Sequence, residues 1–175
     1  MGFTYTFTTI QDFSQIDMLI DFMAKQNLDY PNYDKWLNKT KKEIVAGDKE
    51  AILAFNEGRL IGNLVHQISR DEGLGKIREI KNLRVHQDFR ERGIANFMLK
   101  QLYNDCAGKY YGLILDVRAE QTETYNFLIG QGFSPIIGLP LYEKNREEKV
   151  MFKPLDKDLE GLIPRLKKII TGRSF

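Results

Sequence analysis

The 175 residues are 42% hydrophobic, and 26 basic side chains against 24 acidic ones leave a net charge of +2. Such a chain can bury one sizeable core, and its near balance of charge excludes a general electrostatic pull towards nucleic acid or an anionic membrane. The start lacks the charged and apolar regions of a secretory leader, and no segment approaches the ~18 apolar residues that cross a bilayer, so a single cytoplasmic domain over residues 1–175 is expected.

Gly2 to Thr9 alternates in the period-2 manner of a strand, and Phe13, Ile16, Met18, Leu19, Phe22 and Met23 then recur at helical spacing. The aromatic, proline-bearing NLDYPNYDKW interrupts this, and residues 37–46 resume as a second helix closed by Gly47. AILAF (51–55) and LIGNLVHQIS (60–69) read as a hairpin across the turn NEGR, and REIKNLRV (78–85) follows the turn RDEGLGK as a further antiparallel strand. Residues 96–107 form a helix, YGLILDV (111–117) a nearly continuous apolar strand, and TETYNFLIGQ (122–131) a helix ended by Gly132. Strand, helix and apolar strand in that order imply a right-handed parallel crossover, so the sheet is mixed. Residues 132–155 add a terminal hairpin, and 157–172 an amphipathic helix interrupted by Pro164.

The stretch FRERGIAN (89–96) stands where the helix after REIKNLRV begins. A helix N-terminus exposes unpaired backbone N–H groups and a partial positive charge, which together bind phosphate where the backbone can come close. Gly93 removes the side chain at that approach, Ala95 keeps the first turn slim, and Arg90 and Arg92 add cations for a diphosphate. A solvated basic turn is the plainer alternative, but the order of strand, R-x-x-G-x-A, helix, buried strand, helix and Gly-Phe is far more specific than one glycine.

On these residues the chain resembles the GCN5-related N-acetyltransferase (GNAT) family, whose Q/R-x-x-G-x-G/A motif is matched by Arg90, Glu91, Arg92, Gly93, Ile94 and Ala95. The similarity covers roughly residues 50–153, with LRV (83–85) before the motif and GQGF (130–133) as the closing Gly-Phe. It implies an α/β (α+β) fold: a mixed, mostly antiparallel central sheet with two splayed parallel strands and flanking helices. It implies acetyl-CoA as cosubstrate, with the main chain of Leu83, Arg84 and Val85 receiving the pantetheine arm, Leu83 and Val85 pairing with it as an added strand. The thioester would then lie between strands 78–85 and 111–117.

Acetyl transfer to an amine needs a group to take the nitrogen's proton, donors for the oxyanion and an acid for the leaving thiolate. Period 2 puts Glu79, Lys81, Leu83 and Val85 on one face of their strand, and Glu79 stands at the offset before Arg90 where histone-type relatives carry their base. A solvated ion pair is the other reading of Glu79. The family's acid tyrosine is replaced by Leu128, and its asparagine at the start of the same helix by Gln121, whose amide still donates and accepts. Tyr125, a turn before Leu128, and Tyr142, in the terminal hairpin, are the candidate substitutes.

The aromatic loop 28–36 stands where relatives shape the acceptor pocket, and its rings and aspartates suit a cationic amine. His66 and His86 lack Cys, Asp or Glu at ligand spacing, so no metal site is expected, and Cys106, the only cysteine, reads as a packing residue. The leading expectation is an acetyl-CoA-dependent N-acetyltransferase acting on a primary amine of a small molecule or a polypeptide. A catalytically silent CoA-binding module is the alternative, and a third reading has the basic PRLKKIITGR engage an acidic partner. The terminal strands are also available for pairing in a homodimer.

Overall fold

The computed structural model describes residues 4–26, 30–70, 76–155 and 161–172. Gly2 and Phe3 of the first strand, Leu28 and Asp29 of the aromatic loop, residues 71–75 of the third turn, residues 157–160 of the last helix and Arg173 lie outside them. The strands form one seven-stranded sheet in the order β1-β2-β3-β4-β5-β7-β6, and the chain groups into two units, Met1–Gln67 with Ile80–Asn104 and Ile68–Glu79 with Asp105–Phe175.

In the first unit, β1 (Tyr5–Thr9) pairs antiparallel with β2 (Lys49–Asn56), which pairs antiparallel with β3 (Arg59–Ile68). The turn between β2 and β3 places Glu57 and Gly58 at φ 49° and 79°, the two positive angles that a tight hairpin requires. Helix α1 (Phe13–Ala24) starts on Asp12, whose carboxylate accepts from the Gln15 N–H at 3.0 Å and from the Ser14 hydroxyl at 2.6 Å. Its buried face, Ile16, Leu19, Phe22 and Met23, packs with Leu37 and Ile44 of α2 (Tyr33–Ala46) and with Ala51, Leu53, Leu60 and Val65 of the strands.

Helix α2 begins at Tyr33 rather than at Leu37. Asn32 turns the chain at φ 58°, a left-handed angle that asparagine tolerates, so Tyr33 and Trp36 belong to the helix and stack with centroids 5.6 Å apart. Below them the buried Lys49 lies 3.0 Å from Glu43, 2.8 Å from the Thr40 hydroxyl and 4.9 Å from the Trp36 ring centroid, tying α2 to β2.

Strand β4 (Ile77–Val85) runs against β3: the Ser69 N–H donates to the Ile77 carbonyl at 2.8 Å, and the His86 N–H to the Ile61 carbonyl at 2.7 Å. Arg78, Ile80 and Asn82 are buried while Glu79, Lys81 and Leu83 are half-buried, the alternation expected of this strand. A 3₁₀ turn, Gln87–Phe89, leads towards α3 (Ile94–Cys106), on which Cys106 is buried.

The second unit holds β5 (Gly112–Arg118), α4 (Thr122–Gly130), β6 (Ser134–Glu143), β7 (Arg146–Pro154) and α5 (Leu162–Thr171). β5 pairs in parallel with the start of β4 from Ile77↔Gly112 to Glu79↔Ile114, after which β4 continues to Val85 and β5 to Arg118. On its other side β5 pairs antiparallel with β7, which pairs antiparallel with β6. The core here is Ile77, Ile114, Ile136, Val150 and Phe152, covered by Leu166 and Ile170 of α5. Because α5 starts at Leu162, Pro164 falls in its first turn, where no intrahelical N–H is needed, and does not interrupt it. Among the described residues no helix is long and apolar enough to cross a membrane.

Candidate functional site

The first unit brings the R-x-x-G-x-A residues to the start of α3. Arg90 is extended, Glu91 turns through φ 59° and Gly93 through φ 77°, and α3 begins at Ile94, earlier than the residue 96 expected from periodicity. The Phe97 N–H donates to the Gly93 carbonyl at 3.0 Å, so Gly93 opens the helix. Glycine there has two consequences. Its angle suits no other residue well, and it carries no side-chain oxygen to occupy the first-turn amides, which in any α-helix lack intrahelical acceptors. A Cβ at Gly93 would meet only the Phe97 ring, at 3.7 Å, so conformation rather than space demands the glycine.

The arginines border this turn. The Arg92 guanidinium stands 5.4 Å from the Phe89 ring centroid, and the Arg90 Nε reaches the Val85 carbonyl at 3.5 Å. Arg84 is half-buried: burial lowers the pKa of its guanidinium, Tyr30 and Tyr33 oppose that shift, and the Arg90 charge adds to it. Burial likewise pushes the Tyr33 phenol up to about 12, and its hydroxyl donates to the Met23 carbonyl at 3.2 Å.

Sequence reasoning missed the residue that seats this turn. A Cβ on Gly62 would lie 3.1 Å from the Arg84 carbonyl and 3.3 Å from both Ile94 Cγ2 and Met98 Cε. A glycine inside an apolar strand is the available signal, since it marks a close approach of backbone or helix.

In the second unit, Glu79 is half-buried and forms the last rung of the parallel ladder, opposite Ile114. Gln121 precedes α4, and its side chain makes no capping bond to the helix. Tyr125 lies under the Lys149 ammonium, 4.5 Å from the ring centroid. Leu128 is 1% exposed, a core residue where the resemblance expects an acid. Tyr142 is placed differently: its hydroxyl donates to the Asp116 carboxylate, 3.0 Å from Oδ1 and 3.1 Å from Oδ2. Asp116 was not singled out from the sequence, although a carboxylate within the apolar run LILDV was the visible sign. Among the described residues no group of His, Cys, Asp and Glu is placed to hold a metal ion.

The model of the Acetyltransferase (GNAT) family matches residues 11–133. No curated protein matches the chain. Among solved structures, the fold is similar to a GNAT-family protein from Desulfovibrio desulfuricans, with TM-score 0.76 and 11% identity over 87% of this chain and 100% of that one. It is similar to NAA60 of Arabidopsis thaliana in complex with a bisubstrate analogue, with TM-score 0.70 and 19% identity over 86% and 98%. It is also similar to the ribosomal-protein-S18-alanine N-acetyltransferase of Escherichia coli, with TM-score 0.69 and 13% identity over 90% and 97%.

Proposed function

Because this chain belongs to the acetyltransferase (GNAT) family and takes acetyl-CoA as its cosubstrate, we propose that it transfers the acetyl group to a primary amine, carried by a small molecule or a polypeptide. The observation that carries the proposal is the opening of α3 on Gly93 at φ 77°, a residue with no side chain of its own to cap the first-turn amides, in the turn that also carries Arg90 and Arg92. On this reading the amides at 92–95 take the diphosphate of acetyl-CoA, Arg90 and Arg92 add charge, and the main chain of Leu83, Arg84 and Val85 receives the pantetheine arm. Gln121, whose side chain makes no capping bond to α4, is the proposed contact to the coenzyme through its amide.

Glu79 is the proposed base from the sequence pattern, and Tyr125 and Tyr142 stand in for the tyrosine that Leu128 replaces. The amine as acceptor class also draws on the Escherichia coli relative, named for acetylating an alanine nitrogen. The buried Leu128 favours one second reading, a module that binds coenzyme A without turnover. Incubation with acetyl-CoA and a panel of amines, followed as free thiol release, separates the two. Amine-dependent release is expected; tight coenzyme binding with release no faster than background hydrolysis would leave only the silent module.

A further inference from the structure

Arg84 stands in the β4 segment proposed to receive the pantetheine arm, and the register of the first unit fixes where its side chain goes. A Cβ on Gly62 would meet Ile94 and Met98, so α3 covers the face on which Gly62 stands. Gly62 is opposite Ala54 and Asn63 is opposite Leu53, so these two neighbours point to opposite faces. Leu53 belongs to the core under α1 and α2. The Asn63 Nδ2 donates to the Asn82 Oδ1 at 2.8 Å, which puts Asn82 on the α1 and α2 face, and Arg84, two residues further, follows it there. Tyr33 of α2 and Tyr30 before it accordingly act on the guanidinium more strongly than Arg90 does.

Two polar groups on this face lack the partners that burial calls for. Arg84 is half-buried, and among the described residues no carboxylate pairs with it: the titratable groups beside it are two phenols and a second arginine. Asp34, which acts on Tyr33, is exposed. Asn63 is 0% exposed, and its Oδ1 has no hydrogen-bond partner among the described residues. The Asn82 amide, its oxygen taken by Asn63, has its N–H₂ left to donate. The aromatic segment expected to suit a cationic amine is set against cations of the protein itself. Trp36 has Tyr33 stacked on it and the Lys49 ammonium 4.9 Å from its centroid, and the Tyr33 hydroxyl is turned to the Met23 carbonyl.

Resting on the amine-acetylation reading above, we propose that Arg84 selects an acceptor that carries a carboxylate besides its amine, the guanidinium taking that carboxylate on the α1 and α2 face with help from the Asn82 amide. The diphosphate of the coenzyme is proposed to lie at the start of α3, on the other face, so this one is left to the second substrate. A planar guanidinium presents paired N–H donors that match the two oxygens of a carboxylate, and partial burial strengthens the contact. The same charge repels an acceptor with further cations, such as a polyamine or a lysine-rich peptide. Arg84 determines specificity here, and the proton-accepting role stays with Glu79.

The test sets amines with a carboxylate against the same amines without one: free amino acids beside their carboxamides, and short peptides with an acidic residue next to a free N-terminus beside their amidated forms. Thiol release gives kcat/KM for each with wild type, Arg84→Met and Arg84→Glu, and calorimetry gives the coenzyme A affinity of each protein. In wild type the acid is expected to exceed its amide about 10–100-fold, the worth of a charge-assisted hydrogen bond. Whether the free amino acids or the peptides show that preference tells a small acceptor from a polypeptide. The ratio of acid to amide is expected to fall to about one in Arg84→Met and to invert in Arg84→Glu, as loss and reversal of a charge require. Equal kcat/KM for acid and amide in wild type, or a preference that survives Arg84→Met, would overturn the assignment. So would a loss in Arg84→Met that falls alike on acid and amide and follows coenzyme A affinity, which would make Arg84 a coenzyme ligand. If no amine is acetylated, the amine reading fails by itself. The same pairs titrated into the coenzyme A complex then decide: tighter binding of the acid, lost in Arg84→Met, upholds the carboxylate site, and equal binding ends it.

Discussion

The carbonyl of Arg84 lies where a side chain on Gly62 would begin: a Cβ there would be 3.1 Å from that oxygen and 3.3 Å from two side chains of α3. The end of β4 and the first turn of α3 are thus held in place by the absence of an atom on β3. Gly62→Val is expected to destabilise the protein by about 1–3 kcal/mol, the usual cost of overpacking. Coenzyme A affinity should fall with it, since the displaced segments are those proposed to hold the ligand; calorimetric titration alongside thermal unfolding checks both.

Gly93 is constrained by its angle, not by its surroundings. Gly93→Ala should cost about 1–2 kcal/mol through the left-handed conformation alone. If the helix opening shifts to relieve that strain, coenzyme A should bind about tenfold more weakly, a change of about 1.4 kcal/mol. Truncated pantetheine analogues without the diphosphate should bind to wild type and variant alike. Arg90→Ala and Arg92→Ala should show the same contrast between full and truncated ligand, measured by competition binding.

The Lys49–Glu43 pair is buried, with side-chain exposures of 3% and 11%. Glu43→Ala takes the carboxylate from beside the buried Lys49 ammonium and is expected to lose roughly 3 kcal/mol, within the range for broken buried pairs. Chemical denaturation with an unchanged slope would attribute the loss to native stability. Coenzyme A affinity should be unaffected, as α2 carries none of the cradle.

Glu148 makes stability depend on pH in a definite direction. Its folded-state pKa is raised, chiefly by burial, so the folded protein prefers the protonated carboxyl. The stability this confers is complete below the ordinary unfolded value of 4.5 and is lost as pH rises through the folded value. Glu148→Gln removes the dependence. The melting temperature of the variant, relative to wild type, should therefore climb between pH 4 and pH 8; a constant difference would mean that Glu148 does not titrate in this interval.

Much of the fold was legible because hydrophobic period and turn chemistry agreed. The parallel crossover, the hairpin through Glu57 and Gly58, and the glycine opening α3 each carry a local signature. Apolar spacing alone sets the helix starts later than Tyr33 and Ile94, since both follow positive-φ turns through Asn32 or Gly93 that spacing does not register. The Asp116–Tyr142 contact was beyond sequence reasoning for a further reason. It depends on a register slip in β6 after Leu139, and a slip changes which side chains meet without changing composition or period. Tyr142 was a candidate on its place in the hairpin, but its partner, 26 residues away, becomes visible only when β7 lies between the two strands.

The central claim is that the backbone amides opening α3 hold the diphosphate of acetyl-CoA. Titration of ¹⁵N-labelled protein with coenzyme A, read as amide shift changes, tests it most directly. The largest changes are expected at Arg92, Gly93, Ile94 and Ala95, and should be absent with pantetheine alone; saturable binding that leaves those four amides unmoved would contradict the account.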